Sequence, residues 1–310
     1  MIEVQRLTKV FGNTRSVDDV SFQAERGEVL GFLGPNGAGK STTMRLLAGL
    51  IRPTSGRASI GGVDMQAATP EQRRVLGYLP EGAPLYGDMT LESYLIYMGG
   101  LKGLDATEAR REMDRTTSLL NLTKERRRLL GNLSKGTRQR AAFAQALLGK
   151  PPVLLLDEPT VGLDPSQIND VRQLIRSFAG ETTVLFSSHI LPEIELTCSR
   201  IVIIANGRVA AQGTPRDLVA AEAGEGIARL RGPRPQLERV LTDLPGARVQ
   251  ALWHVDELEL RFDVAGTPDL RPEIARRAVQ AGVDVLEVGT RGARLEDVFL
   301  RAIGKGASAA

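Results

Sequence analysis

One cysteine, Cys198, occurs in 310 residues. No internal disulfide can form, and the composition suits a reducing cytosol. Cys198 reads as a small core residue. No stretch approaches the ~18 consecutive apolar residues of a membrane-crossing helix. Met1-Ile2-Glu3-Val4-Gln5-Arg6 alternates apolar with polar residues and lacks the basic-then-apolar layout of a signal peptide. Aromatics make up 4% of the chain and the net charge is a mild +3. The basic residues are spread out, so no nucleic-acid partner is expected. The densest cluster, Lys124-Glu125-Arg126-Arg127-Arg128, reads as a solvated helix end, with an anionic partner as the weaker alternative. What is present is ordinary for a soluble chain: 42% apolar residues support a core and 25% are charged. The length allows one large domain or a domain with a smaller one.

Against that plain background one stretch stands out. Gly34-Pro35-Asn36-Gly37-Ala38-Gly39-Lys40-Ser41-Thr42 matches G-x-x-x-x-G-K-[ST], the phosphate-binding loop. It follows the apolar run Glu28 to Leu33, which reads as a buried parallel strand. It precedes Met44, Leu47, Ala48 and Ile51, spaced as one face of an amphipathic helix that Pro53 stops. Glycines let backbone N–H groups point at phosphate oxygens, and the helix N-terminus adds partial positive charge. Lys40 supplies a full charge for the β- and γ-phosphates, Ser41 a hydroxyl for Mg²⁺, and Thr42 a donor to phosphate. The loop implies a nucleoside triphosphate site without naming the nucleotide.

The rest of the chain reads as an α/β P-loop NTPase. A β-rich opening covers residues 2–26. Phe11, beside a turn there, either packs or stacks on a base. Arg57–Ile60 and Val75–Leu79 predict further strands, with Gly61-Gly62 a turn between them. Helices predicted over Leu91–Gly99 and Ala106–Asn121 form an insert, and Ser134 caps a helix running to about Gly149. Val153–Leu156 predicts a buried strand that delivers Asp157 and Glu158 to the carboxyl edge of a parallel sheet, where ligands bind. Asp164 and Pro165 start another helix. A strand over Thr182–Ser187 brings Ser188 and His189 to the same edge. Asn206-Gly207 marks a hairpin.

These pieces resemble the ATP-binding-cassette (ABC) ATPases over about residues 2–220. Six motifs carry the resemblance in family order: Gly34–Ser41, Gly77-Tyr78-Leu79-Pro80-Glu81, Leu133–Arg140, Leu154–Thr160, Gly162-Leu163-Asp164-Pro165 and Ser187-Ser188-His189. The resemblance implies a RecA-like parallel core with an antiparallel β segment and a helical subdomain at about 83–145. It implies that Phe11 stacks on adenine, Asp157 helps hold Mg²⁺, and Glu158 acts as general base or polarises the attacking water. His189 would bridge the γ-phosphate and that water, and Asp164 would communicate across a dimer. Ser134 and Gly136, with Lys135 and Thr137 in the same signature segment, would contact ATP held by a second copy of the chain. Two positions depart from the usual pattern. Lys135 and Thr137 replace a Gly and the Gln of L-S-G-G-Q, and Glu81 stands where Gln is usual. A carboxylate at 81 can still ligate Mg²⁺ but adds negative charge near the phosphates.

Within that resemblance the chain is expected to bind ATP and Mg²⁺, to dimerise head to tail, and to drive a separate integral-membrane permease, as an exporter. Its expected place is cytoplasmic, peripheral on the inner face of the membrane. The alternatives are a soluble ABC ATPase acting on ribosomes or DNA, and a non-enzymatic nucleotide-gated subunit. Residues 1–222 form the expected nucleotide-binding domain. Residues 223–303 read strand, helix, two strands, helix, strand, helix, which predicts a small ferredoxin-like α+β domain. Trp253 is expected in its core and His254 on its surface. Residues 304–310 read as a flexible tail.

Overall fold

A computed structural model describes residues 1–220, 225–241, 244, 249–263, 270–291 and 294–307. The chain divides into two compact units, one of residues 1–215 with the segment from Arg301, the other Arg216–Leu300. The division precedes the 222/223 boundary read from the sequence. The reason is that the last strand paired in the first unit ends at Gly213.

In chain order β1 (Ile2–Phe11) and β2 (Thr14–Ala24) precede β3 (Val29–Leu33), which the phosphate loop joins to α1 (Lys40–Leu47). β4 (Ser55–Ile60), β5 (Val63–Asp64) and β6 (Leu76–Leu79) lead to the helices α2 (Leu91–Leu101), α3 (Ala106–Leu119) and α4 (Lys135–Leu147). β7 (Val153–Asp157), α5 (Pro165–Ser177), β8 (Thr183–Ser188), α6 (Leu191–Thr197), β9 (Arg200–Ala205) and β10 (Arg208–Gly213) complete the unit. β1, β2, β4 and β5 form an antiparallel sheet in the order β2-β1-β4-β5. The larger sheet runs β10-β9-β3-β8-β7-β6, parallel except for β10. Its central strands are buried along their whole length and largely apolar, because both faces are covered. Leu30, Phe32, Leu155 and Leu185 are fully buried, in one cluster with Met44 and Leu47 of α1 and with Ile2, Val4 and Val20 of the antiparallel sheet. Parallel pairing puts the carboxyl ends of β3, β6, β7 and β8 on one edge.

α1 ends at Leu47, short of the stop that Pro53 predicts. Gly49 takes the left-handed conformation (φ 69°), and the Leu50 N–H returns to the Arg45 carbonyl at 2.9 Å. A side chain at 49 would strike the Met65 carbonyl, 2.4 Å from its Cβ. This glycine C-cap outranks the proline signal.

The helical insert is capped as its sequence dictates. Thr90 accepts from the Ser93 N–H ahead of α2, and Asp105 and Glu108 form a capping box on α3. Lys102, half-buried beside α4, donates to the Ala146 and Leu148 carbonyls at 3.2 and 3.0 Å, so a cation closes that helix's negative end. In the cluster at 124–128, Arg126 pairs with Asp114 and Arg128 with Glu125, as a solvated helix end would.

The second unit opens with α7 (Pro215–Ala220) and β11 (Glu225–Arg231), followed by α8 (Arg234–Leu241), β12 (Val249–Trp253) and β13 (Glu257–Asp263). α9 (Arg271–Ala281) and β14 (Asp284–Arg291) follow, and then α10 (Leu295–Ala307), of which the residues to Leu300 belong to this unit. Its sheet order, β12-β13-β11-β14, is antiparallel throughout. With βαββαβ connectivity this is the ferredoxin-like arrangement. Leu230, Leu258, Leu260, Phe262, Leu237 and Ile274 fill its core. Trp253 is half-buried at the margin, with the Arg234 guanidinium 4.9 Å from its ring, and His254 is exposed. α10 continues through Gly304 to Ala307, where the sequence reading placed a flexible tail. A glycine within a helix costs only about 1 kcal/mol and no proline intervenes. Residues 308–310 lie outside the described residues.

Leu155 lies at the centre of the parallel sheet with no exposed surface. Leu155→Ala is expected to lower unfolding free energy by about 2–5 kcal/mol, read from urea midpoints. A loss below about 1 kcal/mol would contradict the placement of this strand.

Candidate functional site

β3 ends at Leu33, and the loop that follows turns on Gly39, whose φ of 102° is open to glycine and strained for other residues. A Cβ there would lie 2.4 Å from the Ser16 carbonyl. The loop thus packs on β2 while its far side stays open. A cleft of about 400 Å³ opens on that side, lined by Asn36, Gly37, Gly39, Lys40, Ser41, Thr42 and Ser16 from one wall. Glu81, Glu158, Val161 and His189 line the other. Gly34, Pro35 and Ala38 support the loop from behind: the Lys40 ammonium donates to the Gly34 and Pro35 carbonyls at 2.7 and 3.2 Å, and Ala38 is buried.

Two carboxylates follow one another at the end of β7, and the second, Glu158, lines the cleft. Asp157, the last residue of β7, is buried, and its Oδ1 accepts from the Ser187 hydroxyl at 2.7 Å and the Ser41 hydroxyl at 3.2 Å. Burial pushes its carboxyl above the ordinary range, those two hydroxyls oppose the shift, and the neighbouring Glu158 charge adds to it. Glu158 is also buried, with Lys40 Nζ 3.3 Å from Oε1 and His189 Nδ1 2.9 Å from Oε2. Its backbone is left-handed, φ 48°, a conformation disfavoured for a side chain of this kind and concentrated at working sites. The Glu158 N–H donates to the Ser187 hydroxyl at 3.0 Å and carbonyl at 3.2 Å, which holds it there.

Ser41 and Asp157 offer a hydroxyl and a carboxylate side by side. Such hard oxygen donors suit Mg²⁺, which binds through one or two protein groups and completes its shell with water and phosphate oxygens. Glu81 faces the same cleft. Among the described residues no cluster of three or more His, Cys, Asp or Glu forms a metal cage.

Other sequence-predicted residues stand apart. Phe11, at the end of β1, is half-exposed with Lys9 Nζ 5.0 Å from its ring centre, and does not line the cleft. Ser134 caps α4, accepting from the Thr137 N–H at 3.2 Å. None of Ser134, Lys135, Gly136 and Thr137 lines the cleft. Asp164 caps α5 through the Gln167 N–H at 2.9 Å and also lies outside the cleft. Conversely, sequence reasoning passed over Ser16, whose hydroxyl meets that of Thr42 at 2.9 Å, and Val161. A lone serine on an alternating strand gives no signal. Ser187 had one, since it opens the Ser187-Ser188-His189 motif already quoted.

A family model described as ABC transporter matches residues 17–161. The bacitracin transport ATP-binding protein BcrA of Bacillus licheniformis is 34% identical over 99% of this chain and 98% of its own length. The chain belongs to the ABC transporter ATP-binding protein family. The linearmycin resistance ATP-binding protein LnrL of Bacillus subtilis (strain 168) is 30% identical over 98% of this chain and 99% of its own. The "Probable multidrug ABC transporter ATP-binding protein YbhF" of Escherichia coli (strain K12) is 36% identical over 79% of this chain, which spans 41% of that longer relative. A solved structure titled as an ATP binding subunit of an ABC transporter shares 33% identity and a TM-score of 0.66, over 71% of this chain and 92% of its own. The family's P-loop fold is the α/β architecture of the first unit. Among the described residues no helix is long and apolar enough to cross a membrane.

The raised Asp157 carboxyl carries a stability consequence. A group whose folded pKa exceeds its unfolded value stabilises below the unfolded value and loses that contribution as pH rises through the folded one. At neutral pH the ionised Asp157 is therefore a net cost. In nucleotide-free, chelator-treated protein, Asp157→Asn is expected to raise the thermal midpoint, read by calorimetry. A lowered midpoint would contradict this.

Proposed function

We propose that this chain binds and hydrolyses ATP as the cytoplasmic motor subunit of an exporter-type ABC transporter. The observation that carries this is the Lys40–Glu158–His189 cluster, placed at the carboxyl edge of the sheet beside the phosphate loop. Lys40 and the loop N–H groups hold the phosphates. Glu158 accepts the proton of the attacking water or polarises it, and His189 holds Glu158 and the γ-phosphate in register. Ser41, Asp157 and Glu81 would hold Mg²⁺, which would supply positive charge against the phosphates.

Ser134 and Gly136, with Lys135 and Thr137, lie outside the cleft of their own chain. In this reading they complete the site of a second copy, with the N-terminus of α4 favouring the anion. Two chains then pack head to tail over two ATP molecules, Asp164 lies at the joint, and Phe11 meets the adenine. Residues 1–222 act as the nucleotide-binding domain, and the subdomain at about 83–145 docks a separate permease. Tyr86 and Tyr97 are about half-exposed on that subdomain, Tyr86 meeting Tyr94 edge to face and Tyr97 tilted against Tyr86, and offer an apolar face. Residues 223–303 act as an accessory domain. The relatives' names, which speak of bacitracin transport and Nod factor export, favour a transporter over action on ribosomes or DNA. They also favour peripheral attachment at the inner membrane face through the permease.

Glu158→Gln keeps the shape and removes the base. It is expected to bind ATP normally, to lose at least about 100-fold in steady-state turnover, and to accumulate an ATP-bound dimer on gel filtration. Undiminished turnover would overturn the role given to Glu158.

A further inference from the structure

α6 starts two residues beyond His189 and buries a carboxylate in its first turn. Glu193 is 3% exposed. Its Oε2 accepts from the Thr160 hydroxyl at 2.8 Å and from the Ser188 hydroxyl at 2.8 Å. Among the described residues no lysine or arginine pairs with it. A buried carboxylate without a cation is costly, and two hydroxyl donors offset only part of that cost. An apolar residue of the same volume would pack here with less penalty.

The two donors belong to the two catalytic loops. Thr160 follows Glu158 by two positions, and Ser188 immediately precedes His189. The Ser188 oxygen also accepts from the Ile190 N–H at 3.0 Å, which fixes the turn that carries His189. Successive residues of a strand point to opposite faces. Ser187 accordingly holds Asp157 and the Glu158 backbone, while Ser188 holds Glu193. The left-handed Glu158 persists only if its neighbours over-determine it, and Gln139, donating to the Pro159 carbonyl at 3.0 Å, is a further side-chain tie on this loop.

We propose that Glu193 is a positioning residue for ATP hydrolysis, a clasp that sets the separation of Glu158 and His189 by holding Thr160 and Ser188 on one oxygen. It rests on the hydrolytic function proposed above. Glu193 does not line the cleft, so its loss leaves nucleotide binding by Lys40 and Ser41 in place and misaligns the step that follows.

The test uses the full chain with Glu193→Gln, which is isosteric, and Thr160→Val against Thr160→Ser. Turnover of Glu193→Gln is expected to fall at least about tenfold, with KM for ATP within about twofold. Thr160→Val falls likewise and Thr160→Ser, which keeps the hydroxyl, does not. Adding Ser188→Ala to Glu193→Gln costs less than the product of the separate losses. A second readout does not depend on turnover. The chain has two histidines, His189 and His254, and the imidazole ¹⁵N resonances of His189 are expected to shift in Glu193→Gln while those of His254 stay. Wild-type turnover with an unmoved His189 signal would overturn the clasp. So would equal losses in binding, turnover and thermal midpoint with that signal unmoved, which describe a packing role alone. Absence of ATP hydrolysis by the unmodified chain would sink the proposed function instead, and the His189 signal would still test the clasp.

Discussion

Everything at the cleft depends on one buried carboxylate having its charge answered. Glu158 sits out of water with Lys40 at 3.3 Å and His189 at 2.9 Å, in a backbone conformation that costs free energy to hold. Lys40 is buried too, and it reaches Glu158 while donating to two carbonyls of its own loop. Neither charge could be removed singly without stranding the other. The fold serves this pair. Parallel strands end together on one edge, so residues more than a hundred positions apart in the chain arrive within hydrogen-bond reach. Ser41 and Asp157 meet in the same way.

Most of that edge was legible in the sequence, because its signals are local. A glycine loop between strand and helix, two acids closing an apolar strand, and a histidine closing another each announce themselves within about ten residues. The βαββαβ order of the second unit was legible by period, and its sheet order follows from that connectivity. Contacts made across the fold were not legible. Ser16 comes to Thr42 from a strand of the other sheet, and nothing near Ser16 in the chain foretells it. The end of α1 was misread because a proline at 53 is a conspicuous stop, whereas the glycine at 49 acts through a backbone conformation that the structure displays.

The signature segment shows the reverse relation. Its motif is plain in the sequence, yet in the folded chain Ser134, Lys135, Gly136 and Thr137 do not line the cleft of the same chain. Ser134 caps α4, and Ser134 and Lys135 are exposed while Gly136 is buried. In the function proposed above, the N-terminus of that helix and the cationic residue at 135 meet a phosphate brought by another molecule. The same logic makes Glu81 interpretable. A carboxylate on the cleft wall adds charge, and the site already places one lysine and a metal-suited donor pair against it.

The central claim is that the catalytic site is shared between two chains, and mixed dimers test it most directly. Lys40→Ala disables the phosphate loop, and Ser134→Glu places an anion at the signature. A dimer of one with the other keeps one intact site, built from the loop of the Ser134→Glu chain and the signature of the Lys40→Ala chain. Each variant alone is expected to be inactive, and their mixture, in the presence of the permease, to recover ATP turnover. A mixture as inactive as its components would contradict a shared site.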